Sequence, residues 1–283
     1  MPPERSLDFD HVFLSRGFIQ TTLPHSRPKG PIFVRENGNM RVTLVSPDEN
    51  GLPYGLIPRL VLVWICTQVC YLKSRSFEFP DTFYSFLRAV GIDNSGQNAR
   101  ATRRHMESLF RMMLDVTYRA PEARLPPVDF GDPTTLVVAS RGFRITDEYE
   151  LWWDSRQHAP RLHVCLSERF FEYAQTAHIP LNWMVLRRLR SPLALDVYAW
   201  LVHRSYRTLR RHTDGKPPEF IPWRQLQLQF GSEYYDRRDF ARRFRAALTQ
   251  VLKHLSCARV RAEYGGLRLL PFQAHPMGRV PLE

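Results

Sequence analysis

Arg238, Arg242, Arg245 and Thr249, with Tyr235 just ahead of them, recur at helical spacing opposite a stripe of Phe240, Phe244, Ala247, Leu248, Val251 and Leu255. The apolar stripe must pack inward, which fixes rotation about the helix axis and turns the basic side chains outward. Arginine's planar fork matches a guanine edge or a phosphate with two hydrogen bonds, so such a face suits reading duplex DNA from the major groove. A second face repeats the pattern. Taking ~100° per residue, Gln97, Arg100, Arg104, Ser108 and Arg111 lie opposite Met106, Leu109, Phe110, Met113 and Leu114. The residues expected to touch bases are Gln97, Arg100, Arg104, Ser108, Tyr235, Arg238, Arg242, Arg245 and Thr249. Contacts to the phosphate backbone, which position without specifying, are expected from Arg111, Arg187, Arg188, Arg190, Arg204, Arg207, Arg210, Arg211, Arg237 and Arg268.

Bond-making chemistry finds no comparable support. Nicking a phosphodiester needs a bound cation and an attacking oxygen, commonly a His-apolar-His pair with a tyrosine. The ten histidines contain no such pair, and the nearest two, His158 and His163, flank Pro160. The GxxxxGK[ST] phosphate loop, the HExxH pattern and the GxSxG turn are also missing from the sequence. The chain is expected to be a binder rather than an enzyme, with no catalytic residue, metal or cofactor. Cys66, Cys70, Cys165 and Cys257 form no CxxC pair and read as buried thiols of a reducing compartment.

The overall charge agrees with a polyanionic partner. Lys and Arg total 40 against 28 Asp and Glu, a net charge of +12, and each cation that neutralises a phosphate releases condensed counterions. A GC-rich genome would explain equally well why 36 of the 40 are arginine. The longest apolar run, Leu60 to Cys66, is far short of the ~20 residues that span a bilayer. With no apolar signal core in residues 1–10, a cytoplasmic protein without a membrane partner is expected.

The elements that must hold these faces occur twice. Pro58 to Lys73 is apolar on all sides and reads as a buried helix, followed by Phe77-Glu78-Phe79-Pro80, a short strand closed by proline. A helix from Asp81 or Thr82 to Val90 stops at Gly91, Gln97 to Tyr118 reads as a long helix, and Leu136 to Ala139, Tyr149 to Trp153 and Leu162 to Leu166 read as strands. Ser167 then caps a helix to Ala177. In the second copy Ser191-Pro192 opens an apolar helix, Glu219 to Pro222 is the strand, and Trp223 to Phe230 is a helix stopped by Gly231. A basic helix then runs from Tyr234 to Leu255, and a hairpin turns at Gly265-Gly266. This order is that of an α+β chain with two tandem winged helix-turn-helix domains, whose second helix enters the major groove. Ile32 to Val34 and Met40 to Val45 form an N-terminal hairpin around Asn37-Gly38-Asn39. The expected divisions are 1–55 for the arm or hairpin, 56–178 for the first winged helix and 179–283 for the second. Leu60, Trp64, Leu195 and Trp200 are expected in the cores, and the other tryptophans, Trp152, Trp153, Trp183 and Trp223, read as packing rather than as base stackers.

Several of these segments resemble one family. Gly51-Leu-Pro-Tyr-Gly55 followed by Pro58-Arg59-Leu60, then Leu151-Trp152-Trp153-Asp154, Leu166-Ser167, Phe170-Phe171 and Ser191-Pro-Leu-Ala-Leu-Asp-Val-Tyr-Ala-Trp-Leu201 are similar to the plasmid-encoded RepA replication initiators. Trp223-Arg-Gln-Leu-Gln-Leu-Gln-Phe-Gly231, the Phe- and Arg-rich helix after it and Gly265-Gly266-Leu267 resemble them as well. The likeness runs from about Val34 to Pro271; residues 1–30 lie outside it, and Lys253 to Cys257 depart from the family's usual Tyr-Pro. It implies binding to repeated double-stranded DNA at a plasmid origin, opening of adjacent AT-rich duplex, recruitment of host initiator and helicase machinery, and repression of the family's own promoter. Whether the chain acts as a monomer or a homodimer stays open. Without the resemblance, the residues fit a winged-helix transcriptional repressor equally well, and a protein-binding scaffold is the third reading.

Overall fold

A computed structural model of the chain describes residues 11–47, 50–78, 83–121, 136–151, 162–176, 178–231 and 233–274. The chain divides into two compact units, residues 1–187 and 188–283.

In the first unit, helix α2 (Leu56–Leu72) is buried from Pro58 to Thr67 and again at Val69, as its mostly apolar sequence requires, with Leu60 and Trp64 each 3% exposed. Around it lie β4 (Ser76–Glu78), α3 (Phe83–Ala89), α4 (Gly96–Arg111), β7 (Thr146–Leu151) and β8 (Leu162–Leu166), with sheet order β4-β8-β7. Helix α3 ends in a left-handed Gly91, φ +74°. Gly91 N–H donates to the Arg88 carbonyl and Ile92 N–H to that of Leu87, the paired bonds that close a helix C-terminus and redirect the chain. Ser95 then caps α4 by accepting from Asn98 N–H at 3.1 Å. Pro80, Asp81, Thr82, Trp152, Trp153 and the prolines at 126, 127 and 133 lie outside the described residues.

The long helix expected over residues 97–118 is two elements. Helix α4 stops at Arg111, and β5 (Met113–Pro121) follows. Met113 and Leu114 satisfy the helical period, but Leu114 and Val116 also alternate, and the β-branched Val116 and Thr117 favour the extended form. The strand lies between two others. β2 (Ile32–Asn37) and β3 (Met40–Val45) form the expected N-terminal hairpin, and the sheet continues through β5 to β6 (Leu136–Arg144). The N-terminal β1 (His11–Ser15) pairs antiparallel with β9 (His178–Asn182), and α1 (Arg16–Gln20) follows it. Helix α5 (Glu168–Thr176) is capped by Ser167, which accepts from Phe170 N–H, and α6 (Trp183–Arg188) closes the unit. Arg59 is buried and donates to the carbonyls of Leu23, Pro24 and Gly55, so this arginine fastens the N-terminal segment.

His105 is 6% exposed, with its ring edge-on to Tyr54 at 4.8 Å. Burial, helped by the charge of Arg104, pushes its pKa down from 6.5 to about 4. The folded unit therefore holds fewer protons than the unfolded chain between those values. The stabilisation from neutral His105 is complete above pH 6.5 and is lost as pH falls toward 4, at no more than about 1.4 kcal/mol per pH unit. Urea unfolding across that range should show the slope, and His105→Phe should remove it; the same acid slope in the variant would refute the assignment.

The second unit repeats the order: α7 (Pro192–Thr213), β10 (Glu219–Pro222), α8 (Trp223–Phe230), α9 (Arg237–Leu252), β11 (Val260–Ala262) and β12 (Gly266–Leu269). Its sheet, β10-β12-β11, places the second wing strand in the middle, as β4-β8-β7 does. Ser191 caps α7 by accepting from Ala194 N–H, with Pro192 at the first helical position. Leu195 and Trp200 are 0% and 1% exposed, and the Trp200 ring packs edge-on against Phe230 and Phe244. Trp183 and Trp223 are buried as well. Both units are thus winged helices, and the first carries an added four-stranded sheet. Among the described residues no helix is long and apolar enough to cross a membrane.

Candidate nucleic-acid interface

Helix α9 begins later than its charge pattern suggests. Asp236 accepts from Arg238 N–H at 2.7 Å and caps the helix, so Tyr235 lies ahead of α9 rather than on its outer face. Tyr235 is nonetheless fully solvent-exposed. Phe240, Phe244, Ala247, Leu248 and Val251 are buried, while Arg237, Arg238, Arg242, Arg245 and Thr249 are exposed. The face is also partly prearranged. Asp239 accepts from Arg242 at 2.6 Å and from Arg243 at 3.1 Å, and the Arg242 bond holds its carboxyl below the ordinary range. The Arg245 guanidinium lies 4.6 Å from the centre of the Trp223 ring.

Trp223 links this face to the wing. Its indole Nε1 donates to the Tyr264 carbonyl at 3.2 Å, and its backbone N–H donates to that of Gly265. Gly266 is required where the turn meets β10, because a Cβ there would lie 2.1 Å from the Ile221 carbonyl oxygen. At the tip Tyr264 is fully exposed, and Arg268 donates through two nitrogens to Glu263, at 2.5 and 3.0 Å. That hydrogen bonding lowers the Glu263 pKa and raises that of Arg268. Arg268 therefore braces the wing in the free protein.

Helix α4 presents Gln97, Arg100, Arg104 and Arg111 to solvent on one stripe, with Ala99, Thr102, Met106, Leu109 and Phe110 buried. Ser108 corrects the expectation. It is 4% exposed, because the buried arc of α4 is wide enough to enclose it, and a side chain so placed does not reach a base edge.

The expected backbone arginines separate into two groups. Arg187, Arg188, Arg190 and Arg210 are exposed, as are Arg111 and Arg237; the Arg187 stem lies against Gly91, where a Cβ would come within 3.0 Å. Arg204 belongs to the interior instead, and its expected phosphate contact is corrected. Its guanidinium donates to Glu219 at 2.9 Å, the two side chains being 13% and 12% exposed, and burial lowers the Arg204 pKa despite Glu219. Arg207 reaches the same carboxylate at 3.1 Å from an exposed position. Arg211 is half-buried and donates to the Pro217 carbonyl at 3.1 Å.

Sequence reasoning passed over Asp239, Arg243 and Tyr264. For Asp239 the signal was present, an acid three and four residues before two arginines in a helix. Tyr264 beside the Gly-Gly turn marks a hairpin tip, but its full exposure needed the structure.

A search of the curated proteins finds no match. The chain is similar in fold to two crystal structures of domains 2 and 3 of RctB. One shares 12% identity over 86% of this chain and 91% of that one, with a TM-score of 0.51. The other shares 13% over 89% and 94%, with a TM-score of 0.54. The model of the family described as plasmid encoded RepA protein matches residues 52–225, more than half of the sequence and including the first helix-turn-helix and the start of the second. With both winged helices and their outward basic faces in place, the chain belongs to the plasmid-encoded RepA family of replication initiators.

Proposed function

We propose that this initiator binds repeated duplex sequences at a plasmid origin, reading bases with the outer faces of α9 and α4. Arg238, Arg242, Arg245 and Thr249 supply the readout in the second unit, and Gln97, Arg100 and Arg104 in the first. Arg187, Arg188, Arg190, Arg207, Arg210, Arg237 and Arg111 take phosphates. The observation that carries this reading is the single-sided exposure of arginine on α9, whose opposite face is buried. Bound to repeats, the protein helps open adjacent AT-rich duplex and recruits host replication proteins, and it represses its own promoter. It neither nicks DNA nor hydrolyses ATP.

Footprinting on the parent replicon tests this directly. Protection of several direct repeats, each about 20 base pairs if the two units read successive turns ~10 base pairs apart, is the expected result. Protection of one promoter palindrome alone would favour a repressor. The affinity should also fall steeply with salt, log K against log salt having a slope of about −0.9 per phosphate contact. A flat response would overturn DNA binding through these faces.

A further inference from the structure

The second unit's sheet has two ends, and only one is the wing. Glu263 to Gly266 turn at the tip, whereas Glu219 pairs with Leu269 near the other end. Leu269 lies three residues along β12 from Gly266, about 10 Å at the usual strand rise. There the sheet meets the last turn of α7 and the loop at 214–218 around a cavity of about 380 Å³.

The cavity combines cations with apolar walls. Arg211, His212, Lys216 and Arg259 line it, and Pro217, Pro218 and Leu269 supply apolar surface. Arg211 is oriented by its bond to the Pro217 carbonyl, and its Nε is buried without a hydrogen-bond partner. Glu219 is the carboxylate of the wall, and two arginines, Arg204 and Arg207, neutralise its Oε1. Its Oε2 is buried without a partner as well. Arg211, Lys216 and Arg259 outnumber the carboxylate of Glu219 along this lining, so the concave space is net positive.

We propose that this cavity is a binding site for the phosphate groups of a small nucleotide. The guanidinium groups of Arg211 and Arg259 and the Lys216 ammonium take the phosphate oxygens. The prolines and Leu269 pack on the sugar or base of the same ligand. Duplex DNA could offer phosphate too, but a rod of phosphates meets projecting arginines more readily than one pinned within a cavity. The site would let a small molecule act on the second unit from the end of the sheet opposite the wing.

Titration of the full chain with pyrophosphate and with ATP, followed by calorimetry and thermal unfolding, tests the proposal. Saturable binding is expected, weakened about tenfold or more by Arg211→Met and also by Arg259→Met. Arg259 is exposed on the rim, so its variant keeps the test valid if Arg211→Met does not fold. Affinity for the origin repeat and its salt slope should be unchanged in Arg259→Met. No saturable binding of either compound at millimolar concentration overturns the site, as does ATP binding that both variants leave intact. If the variants instead weaken duplex binding and flatten the salt slope, the cavity serves the DNA backbone and the nucleotide proposal fails. Failure of the wild-type chain to bind duplex would refute the DNA reading without touching this one.

Discussion

Changing Arg238 and Arg242 together to alanine is expected to remove most of the preference for the origin repeat over scrambled duplex. A good bidentate arginine-guanine pair contributes about 1 to 3 kcal/mol of discrimination, so losing two should cost about 2 to 6 kcal/mol. Residual binding should remain salt-dependent, because the proposed phosphate contacts are left unchanged. Arg242 enters this exchange already paired with Asp239 at 2.6 Å, on an exposed surface. Such a pair contributes only about 0 to 1 kcal/mol, so a guanine edge can replace it. Asp239 also places a negative charge where the first turn of α9 would approach phosphate, which disfavours binding that lacks the matching bases. Asp239→Asn should accordingly raise affinity for scrambled DNA more than for the repeat. Competition binding with both duplexes decides the outcome. If the Arg238→Ala, Arg242→Ala protein discriminates as well as the wild type, α9 is not the reader, and the wing from Tyr264 to Arg268 takes its place.

The second unit was the more legible because its boundaries carry strong local chemistry. Ser191-Pro192 opens a helix by capping and a fixed φ, and Pro222 and Gly231 bracket α8 at its observed ends. In the first unit, Met113 and Leu114 fit a helical stripe and an alternating strand alike. What decides between them is β3, nearly 70 residues upstream, which pairs Met40 through Val45 with Tyr118 through Met113. Ser108 failed for a different reason, since a small polar residue near the edge of an apolar stripe carries no sign of how wide the buried arc will be. The outward arginines of α4 and α9 were legible because long stripes of Phe, Leu and Val settle the opposite face.

Arginine itself was the least legible residue type, and Arg204 provides the second test. By charge alone it belongs with Arg207 and Arg210, and its loss would flatten the salt slope by about one contact. Its actual partner, Glu219, lies 15 residues away on β10, and the pair is largely withdrawn from water beside Trp200. Removing one member of a buried pair leaves the other charge unpaired, at a cost of about 3 to 5 kcal/mol. Arg204→Ala is therefore expected to destabilise the second unit by about that amount, read by urea unfolding, with the DNA salt slope unchanged where the protein remains folded. Arg207 can still reach Glu219 at 3.1 Å and will recover part of the loss, so Arg204→Ala with Arg207→Ala should cost more than the two single changes predict. Replacing the pair by apolar groups, Arg204→Met with Glu219→Leu, should restore much of the stability, because neither charge is then stranded. Full stability in Arg204→Ala, with a salt slope reduced by about one, would return this arginine to the DNA backbone.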